Sequence, residues 1–250
     1  MKRILPLLVL LTMTSSAPRE PAQAAGVVAD LSHHLIAITT AFAGTDVLLF
    51  GALEEPGTDV AVVVRGPESD TVVRQKNRIG PIWLNTEEMT FAGAPSYYAV
   101  AASKPLGELA EVQELRRHGI GVEHIGLERL AEGKAGADEV EAFVHALIRN
   151  KQKGDLYSDA VLPVRFVGQR LFRTTLAFPA NVPPGQYEVQ VFEIRDGGVV
   201  SAQHNALLVS KVGVEADIYD AAHNNPALYG LASILLAVFA GWTASALFRK

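Results

Sequence analysis

Between Leu35 and Ala101 the apolar residues come in short runs cut by turn residues, each too short for a helix of ordinary length. The runs are Leu35–Thr39, Val47–Gly51, Asp59–Arg65, Thr71–Lys76, Ile82–Asn85, Met89–Phe91 and Tyr97–Ala101. Gly44-Thr45-Asp46, Glu55-Pro56-Gly57-Thr58 and Gly66-Pro67-Glu68-Ser69-Asp70 supply the turns. Short β-rich runs at this spacing predict strands of an immunoglobulin-like β-sandwich. From Pro105 the period changes. Leu106, Leu109, Val112 and Leu115 recur at three, ahead of Arg116-Arg117-His118 and Gly119, which predicts one helix ending at that glycine. A second helix is marked by Asp138 and Glu141 as a capping-box pair and by an apolar stripe of Val140, Phe143, Val144, Leu147 and Ile148. Beyond Leu156 the strand pattern returns in Val161–Val167, Leu171–Phe178, Gln186–Ile194 and Ala206–Val214. Tyr187, Val189 and Val191 alternate after Pro183-Pro184-Gly185, and Arg195-Asp196-Gly197-Gly198 closes a hairpin.

The pattern then changes once more. Ala227 to Phe248 holds no charged residue over 22 positions, and at about 1.5 Å per residue such a helix spans roughly 33 Å, enough to cross a bilayer core. Asn224-Asn225-Pro226 suits its outer edge, and Arg249-Lys250 suits the cytoplasmic side. Tyr229 and Trp242 fall toward opposite ends, where amphipathic rings sit. At the other end of the sequence, Met1-Lys2-Arg3, an apolar run from Ile4 to Met13 and Ala22-Gln23-Ala24 have the layout of a signal peptide.

Together these patterns predict a mainly β chain with a helical insert and one C-terminal transmembrane helix. The expected organisation is a signal peptide over 1–24, a β-sandwich-like domain over 25–103 and a helical insert over 104–158. A second β-rich domain follows over 159–217, then a linker over 218–226, the transmembrane helix over 227–248 and a tail at 249–250. Whether the two β regions fold together is left open. The expected location is the inner (cytoplasmic) membrane, crossed once, with the body in the periplasm and the C-terminus cytoplasmic.

Charge narrows the partners. The chain carries a net charge of −5. Removing residues 1–24 takes away Lys2, Arg3, Arg19 and Glu20, which leaves 19 basic and 26 acidic residues and a net charge of −7. Nucleic acid is therefore not an expected partner, because phosphate binding needs a cationic footprint. There is no cysteine, which removes disulfides, thiolate metal sites and cysteine nucleophiles.

Candidate chemistry is sparse. Arg65, Arg74, Lys76 and Arg78 form a basic set with Trp83 close by. On an unbroken strand Arg74, Lys76 and Arg78 share a face. Guanidinium forks suit an oxyanion, and an anionic lipid head group fits the same set. No histidine pair has the spacing that places two metal ligands on one helix face, so no metal site and no cofactor are expected. No nucleophile elbow, phosphate loop or dinucleotide fingerprint occurs, and no enzymatic activity is expected. In the apolar helix, Ser233, Ala237, Gly241 and Ser245 recur every four residues, a small-residue stripe suited to helix packing against an integral membrane partner or a second copy.

Several segments also carry a resemblance. Val64-Arg65-Gly66-Pro67, Val73-Arg74-Gln75-Lys76, Ile82-Trp83-Leu84-Asn85 and Pro95-Ser96-Tyr97-Tyr98 are followed by Leu171-Phe172-Arg173, Pro183-Pro184-Gly185-Gln186-Tyr187 and Leu228-Tyr229-Gly230. In this order they resemble a family of alphaproteobacterial transmembrane proteins of unknown function. The resemblance implies no catalytic residues. It implies a place beside sulfite-exporter-type anion permeases, and so an accessory role for an anion transporter. The function expected is a non-enzymatic, membrane-anchored periplasmic module for an integral membrane partner. The alternative is a periplasmic domain that binds an oxyanion or an anionic head group.

Overall fold

A computed structural model describes residues 26–129, 136–213, 218 and 222–248. The signal peptide expected over 1–24 and the basic pair at 249–250 lie outside the described residues, as do residues 130–135 of the expected helical insert.

In chain order the strands are β1 (Val28–Leu31), β2 (Leu35–Ile38), β3 (Thr45–Ala52), β4 (Asp59–Arg65), β5 (Glu68–Ile79), β6 (Ile82–Pro95) and β7 (Tyr98–Ala102). They continue with β8 (Glu128–Arg129), β9 (Leu162–Pro163), β10 (Arg165–Val167), β11 (Leu171–Phe178), β12 (Gly185–Arg195) and β13 (Gly198–Lys211). The helices are α1 (Leu106–Leu109), α2 (Val112–His118), α3 (Ala137–Lys153) and α4 (Pro226–Phe248). The chain is mainly β, as its patterns predict.

Two sheets form a sandwich, one ordered β1-β3-β11-β10 and the other β2-β13-β12-β4-β7-β9. Strands from both β-rich regions enter both sheets. Leu49 of β3 pairs with Thr174 of β11, and Val62 of β4 pairs with Val191 of β12. The core between the sheets joins Val47, Leu49, Phe172, Leu176 and Phe178 from one to Val60, Val62, Val64, Val189 and Val191 from the other. Odd-numbered residues of β4 point the opposite way, so Ala61 and Val63 enter a second core with Phe91, Leu115, Phe143 and Leu147. A strand buried on both faces has no use for alternation, which is why β4 reads as a continuous apolar run.

Three local expectations are corrected. The single helix read from Leu106 to Leu115 is two, interrupted at Ala110, whose φ of −157° and ψ of 164° are extended. A strict period of three drifts around a 3.6-residue helix, so one continuous helix could not keep all four apolar residues inward. Leu109 and Leu115 are buried and Val112 is exposed. The capping box at Asp138 does not form: Gly136 is the extended cap and Asp138 already lies inside α3, where helical dihedrals rule out the N-cap role. The run Val161–Val167 is divided between the sheets, as β9 and β10. Pro163, at the end of β9, has no N–H to continue the ladder. The apolar stripe of α3 holds, with Phe143, Leu147 and Ile148 buried, and Gly119 ends α2 with a left-handed φ of 60°.

The Asp196-Gly197 turn joins β12 to β13, both central residues having positive φ as a two-residue hairpin loop requires. Tyr187 is buried in the sandwich core, its hydroxyl donating to the Pro183 carbonyl at 2.7 Å. The described part of α4 has no buried residue.

Candidate functional site

The third sheet, β5-β6-β8, contains the longest hairpin of the described residues. Its base is part of the molecule: Val73, Met89, Phe91 and Ala94 are buried in the second core. Beyond Val73 the hairpin leaves the body. From Arg74 to the turn at Gly80-Pro81 it projects by roughly 20 Å at the usual rise per residue. Gly80 takes a left-handed φ of 63° that the tight turn requires.

The runs Ile82–Asn85 and Met89–Phe91, read separately in the sequence, are one strand, β6. No Gly or Pro stands between them to make a turn, and two bulges absorb the length mismatch with β5. Ser69 and Thr71 pair with Ala94 and Phe91, while Gln75 and Lys76 pair with Glu87 and Asn85. In both places the extra residue belongs to β6, so the alternation of β5 is unbroken. Val73 faces inward, and Val72, Arg74, Lys76 and Arg78 are exposed on the opposite face. Gly93, at the first bulge, has the positive φ of 59° that such a bulge favours.

The exposed face therefore brings Arg74, Lys76, Arg78 and Trp83 together. Arg74 is opposite Glu88, its Nε 3.1 Å from Oε2. Arg78 is opposite Trp83, and its Nε donates to the Gly80 carbonyl at 3.1 Å. Lys76 is opposite Asn85. Among the described residues neither Lys76 nor Arg78 has an acidic partner, and between Gln75 and Thr86 the sequence contains no acid. Trp83 is 65% exposed, Ile79 55% and Ile82 54%. This is a cationic face ending in an uncovered apolar tip.

Arg65 is not part of that face. It ends β4, half-buried against the helical layer, with its guanidinium 6.0 Å from the centre of the Tyr98 ring. Its Nη2 donates to the Gly119 carbonyl at 3.3 Å, and its Nε is buried without a hydrogen-bond partner among the described residues. Gly119 is favoured here by its left-handed φ of 60°, and a Cβ in its place would displace the Arg65 Nη2 end from the carbonyl it holds. The Tyr98 hydroxyl bridges the same turn, donating to the Gly119 carbonyl at 2.6 Å and accepting from the Gly121 N–H at 3.0 Å. Burial pushes the Tyr98 phenol up to about 12, offset in part by the Gly121 hydrogen bond and by Arg65. Arg65 thus fastens a turn to the sheet.

On its outer side Arg65 also lines an open cleft of about 570 Å³ with Glu68, Tyr187, Glu188, His204 and Asn205. Glu188 and His204 sit on neighbouring strands and pair across them. The His204 hydrogen bond holds the Glu188 carboxyl below its usual range. The cleft presents both signs of charge and has no single preference. The pairing of Glu188 with His204 carried no sequence signal, because β12 and β13 bring them together only through the hairpin register. Among the other histidines, His34 meets Asp30 at 3.0 Å and His145 meets Glu141 at 3.6 Å, whereas the buried Nδ1 of His124 has no hydrogen-bond partner among the described residues. Glu193, buried and unnoticed in the sequence, is held by Thr58 at 3.1 Å.

In α4 the stripe Ser233, Ala237, Gly241 and Ser245 lies along an exposed helix. Ser233 turns its hydroxyl back to the Tyr229 carbonyl at 2.8 Å and Thr243 to the Phe239 carbonyl at 3.0 Å, so these polar groups are satisfied within the helix. α4 is long and apolar enough to cross a membrane, and its apolar surface is uncovered.

Residues 26–250 match the family described as "Putative transmembrane protein (Alph_Pro_TM)". No match was found among the curated proteins searched.

Proposed function

From the premise that this chain belongs to the Alph_Pro_TM family of transmembrane proteins, we propose that it is a membrane-anchored, non-enzymatic accessory module that assembles with an integral membrane partner. The partner class proposed is an anion transporter. The observation that carries the reading is the division of apolar surface. The sandwich buries a large core between two sheets and leaves residues such as Val28, Phe50 and Leu171 exposed on its strands, whereas α4 buries none and leaves a full membrane-length surface uncovered. An apolar helix in lipid gains nothing further from hydrophobicity, so association there depends on close backbone approach. The stripe Ser233, Ala237, Gly241 and Ser245 supplies small side chains for that approach, and Gly241 has open space where a Cβ would be. Self-association through the same stripe is the competing geometry.

The orientation proposed, with the sandwich in the periplasm and α4 in the inner membrane, is supported by the signal-like layout of residues 1–24 and by the basic pair after α4. The test is affinity isolation of the full chain from native membranes in mild detergent, followed by mass spectrometry. Wild type is expected to retain an integral membrane protein. The double variant Ala237→Ile, Gly241→Ile is expected to insert normally and to lose it, because β-branched side chains hold the helices apart. Retention of every partner by that variant sinks the proposal. Recovery of the chain alone, as a dimer that the variant dissolves, assigns the stripe to self-association.

A further inference from the structure

We infer that the tip of the β5–β6 hairpin is a second membrane contact, seated in the interface of the bilayer that holds α4, with Lys76 and Arg78 on anionic lipid head groups. The reading rests on anchoring by α4 and is independent of the partner.

The chemistry of the tip favours lipid over the alternatives. Ile79, Pro81, Ile82, Trp83 and Leu84 make an apolar end, and Ile79, Ile82 and Trp83 are more than half exposed. An exposed apolar end of this kind marks a contact surface. Immediately behind it stand Arg78 and Lys76, free of acidic partners among the described residues. This order along the hairpin is that of an interfacial element, which buries apolar groups about 5–10 Å below the head groups and keeps its cations at their level. Trp83, opposite Arg78, is the aromatic type enriched at that depth. Arg74 lies nearer the body and is already paired with Glu88. A second copy is disfavoured as occupant, since a symmetric contact would set two unneutralised cationic tips against each other.

The chain keeps the tip near a bilayer. Gly213 and Pro226 are 13 residues apart in sequence, so even fully extended the sandwich lies within about 45 Å of the start of α4. The hairpin projects roughly 20 Å of its own. Contact at both points would hold the body in one orientation over the membrane instead of leaving it on a swivel.

The chain has two tryptophans, Trp83 and Trp242, so Trp242→Phe leaves a single reporter at the tip. The full-length variant is reconstituted in vesicles of brominated phosphatidylcholine, with or without about one third phosphatidylglycerol. The expected result is a blue-shifted Trp83 emission quenched by the brominated chains in the anionic vesicles and much less in the zwitterionic ones. Near 1 M salt, where the Debye length is about 3 Å, the difference is expected to vanish. Each cation is worth about a fivefold preference for an anionic surface, so Lys76→Gln with Arg78→Gln is expected to lower the bound-to-free ratio by about 25-fold. Both residues are exposed, and an unchanged thermal unfolding curve would show that the variant folds. Trp83 left open to aqueous acrylamide and untouched by bromine in both vesicles overturns the inference. A blue shift without bromine quenching also overturns it, by placing the tip on protein. Equal quenching in both vesicles removes anionic head groups as the ligand.

Discussion

In β4, Val60 to Val64 are buried on both faces, between the two sheets on one side and against the helical layer on the other. Fewer than twenty residues further on, Ile79, Ile82 and Trp83 are more than half exposed at the end of a projecting hairpin. Composition does not separate these stretches, for both are apolar and β-prone. Position in the topology does. β4 is an inner strand of a six-stranded sheet, and its side chains are consumed by folding. The hairpin tip reaches past every layer of the body, and its side chains contribute nothing to the core. α4 repeats the second case on a larger scale. Apolar surface in this chain therefore falls into two stocks, one buried within the fold and one left uncovered outside it.

Substitutions at the two ends of the comparison should differ most. Phe172→Ala removes a fully buried ring from the sandwich core, and a loss of about 3–5 kcal/mol is expected. Trp83→Ala, at the tip, is expected to stay within about 0.5 kcal/mol of wild type. Chemical denaturation of both variants in mild detergent, followed by circular dichroism, measures the gap. A tip substitution as costly as the core one would erase the distinction.

A smaller effect sharpens the core side. Tyr97, Tyr98, Tyr157 and Tyr187 are all buried. Burial pushes Tyr98 and Tyr187 up to about 12, from an ordinary 10.0, and raises Tyr97 and Tyr157 as well. A raised phenol favours the folded state while neutral, so this contribution is complete below pH 10.0, the unfolded value. It is lost as pH climbs through the folded values. Unfolding and tyrosinate absorbance are therefore expected to rise together above pH 10.0; ionisation of all the buried tyrosines ahead of unfolding would contradict the packing. Tyr98→Phe strips the bridge between Gly119 and Gly121 and is expected to cost about 1–3 kcal/mol at neutral pH, since the Gly121 N–H stays buried and unpaired while the Gly119 carbonyl keeps only Arg65.

Much of this was legible in the sequence, and the boundary has physical reasons. Short apolar runs bounded by turn residues mark β4 and β11, and alternation with a tight turn marks the β12–β13 hairpin, because each is a local pattern. The stripe of α3 and the membrane-length run of α4 were equally plain. Partners were not. Periodicity says which face of a strand is apolar but not which strand covers it, so nothing in Leu49 points to Thr174, or in Val62 to Val191. The division of Val161–Val167 between sheets was hidden for the same reason, although Pro163 stood at the break. In the basic set, the two-residue spacing correctly put Arg74, Lys76 and Arg78 on one face, because both bulges fell on β6. It could not show that Gly66-Pro67 carries the chain into another sheet and leaves Arg65 behind, fastened to Gly119.

The most direct test of the two-stock account uses a photo-crosslinking side chain placed in turn at Leu84, at Ala237 and, as a solvent-facing control, at Lys153 of the full chain in native membranes. Leu84 is expected to yield lipid adducts and Ala237 a discrete protein adduct, with neither from Lys153. Lipid adducts from Leu84 and a protein adduct from Ala237 no more frequent than from Lys153 would contradict it, because the apolar surface left out of the core would then touch only water at the hairpin and only bulk lipid without a partner at the helix.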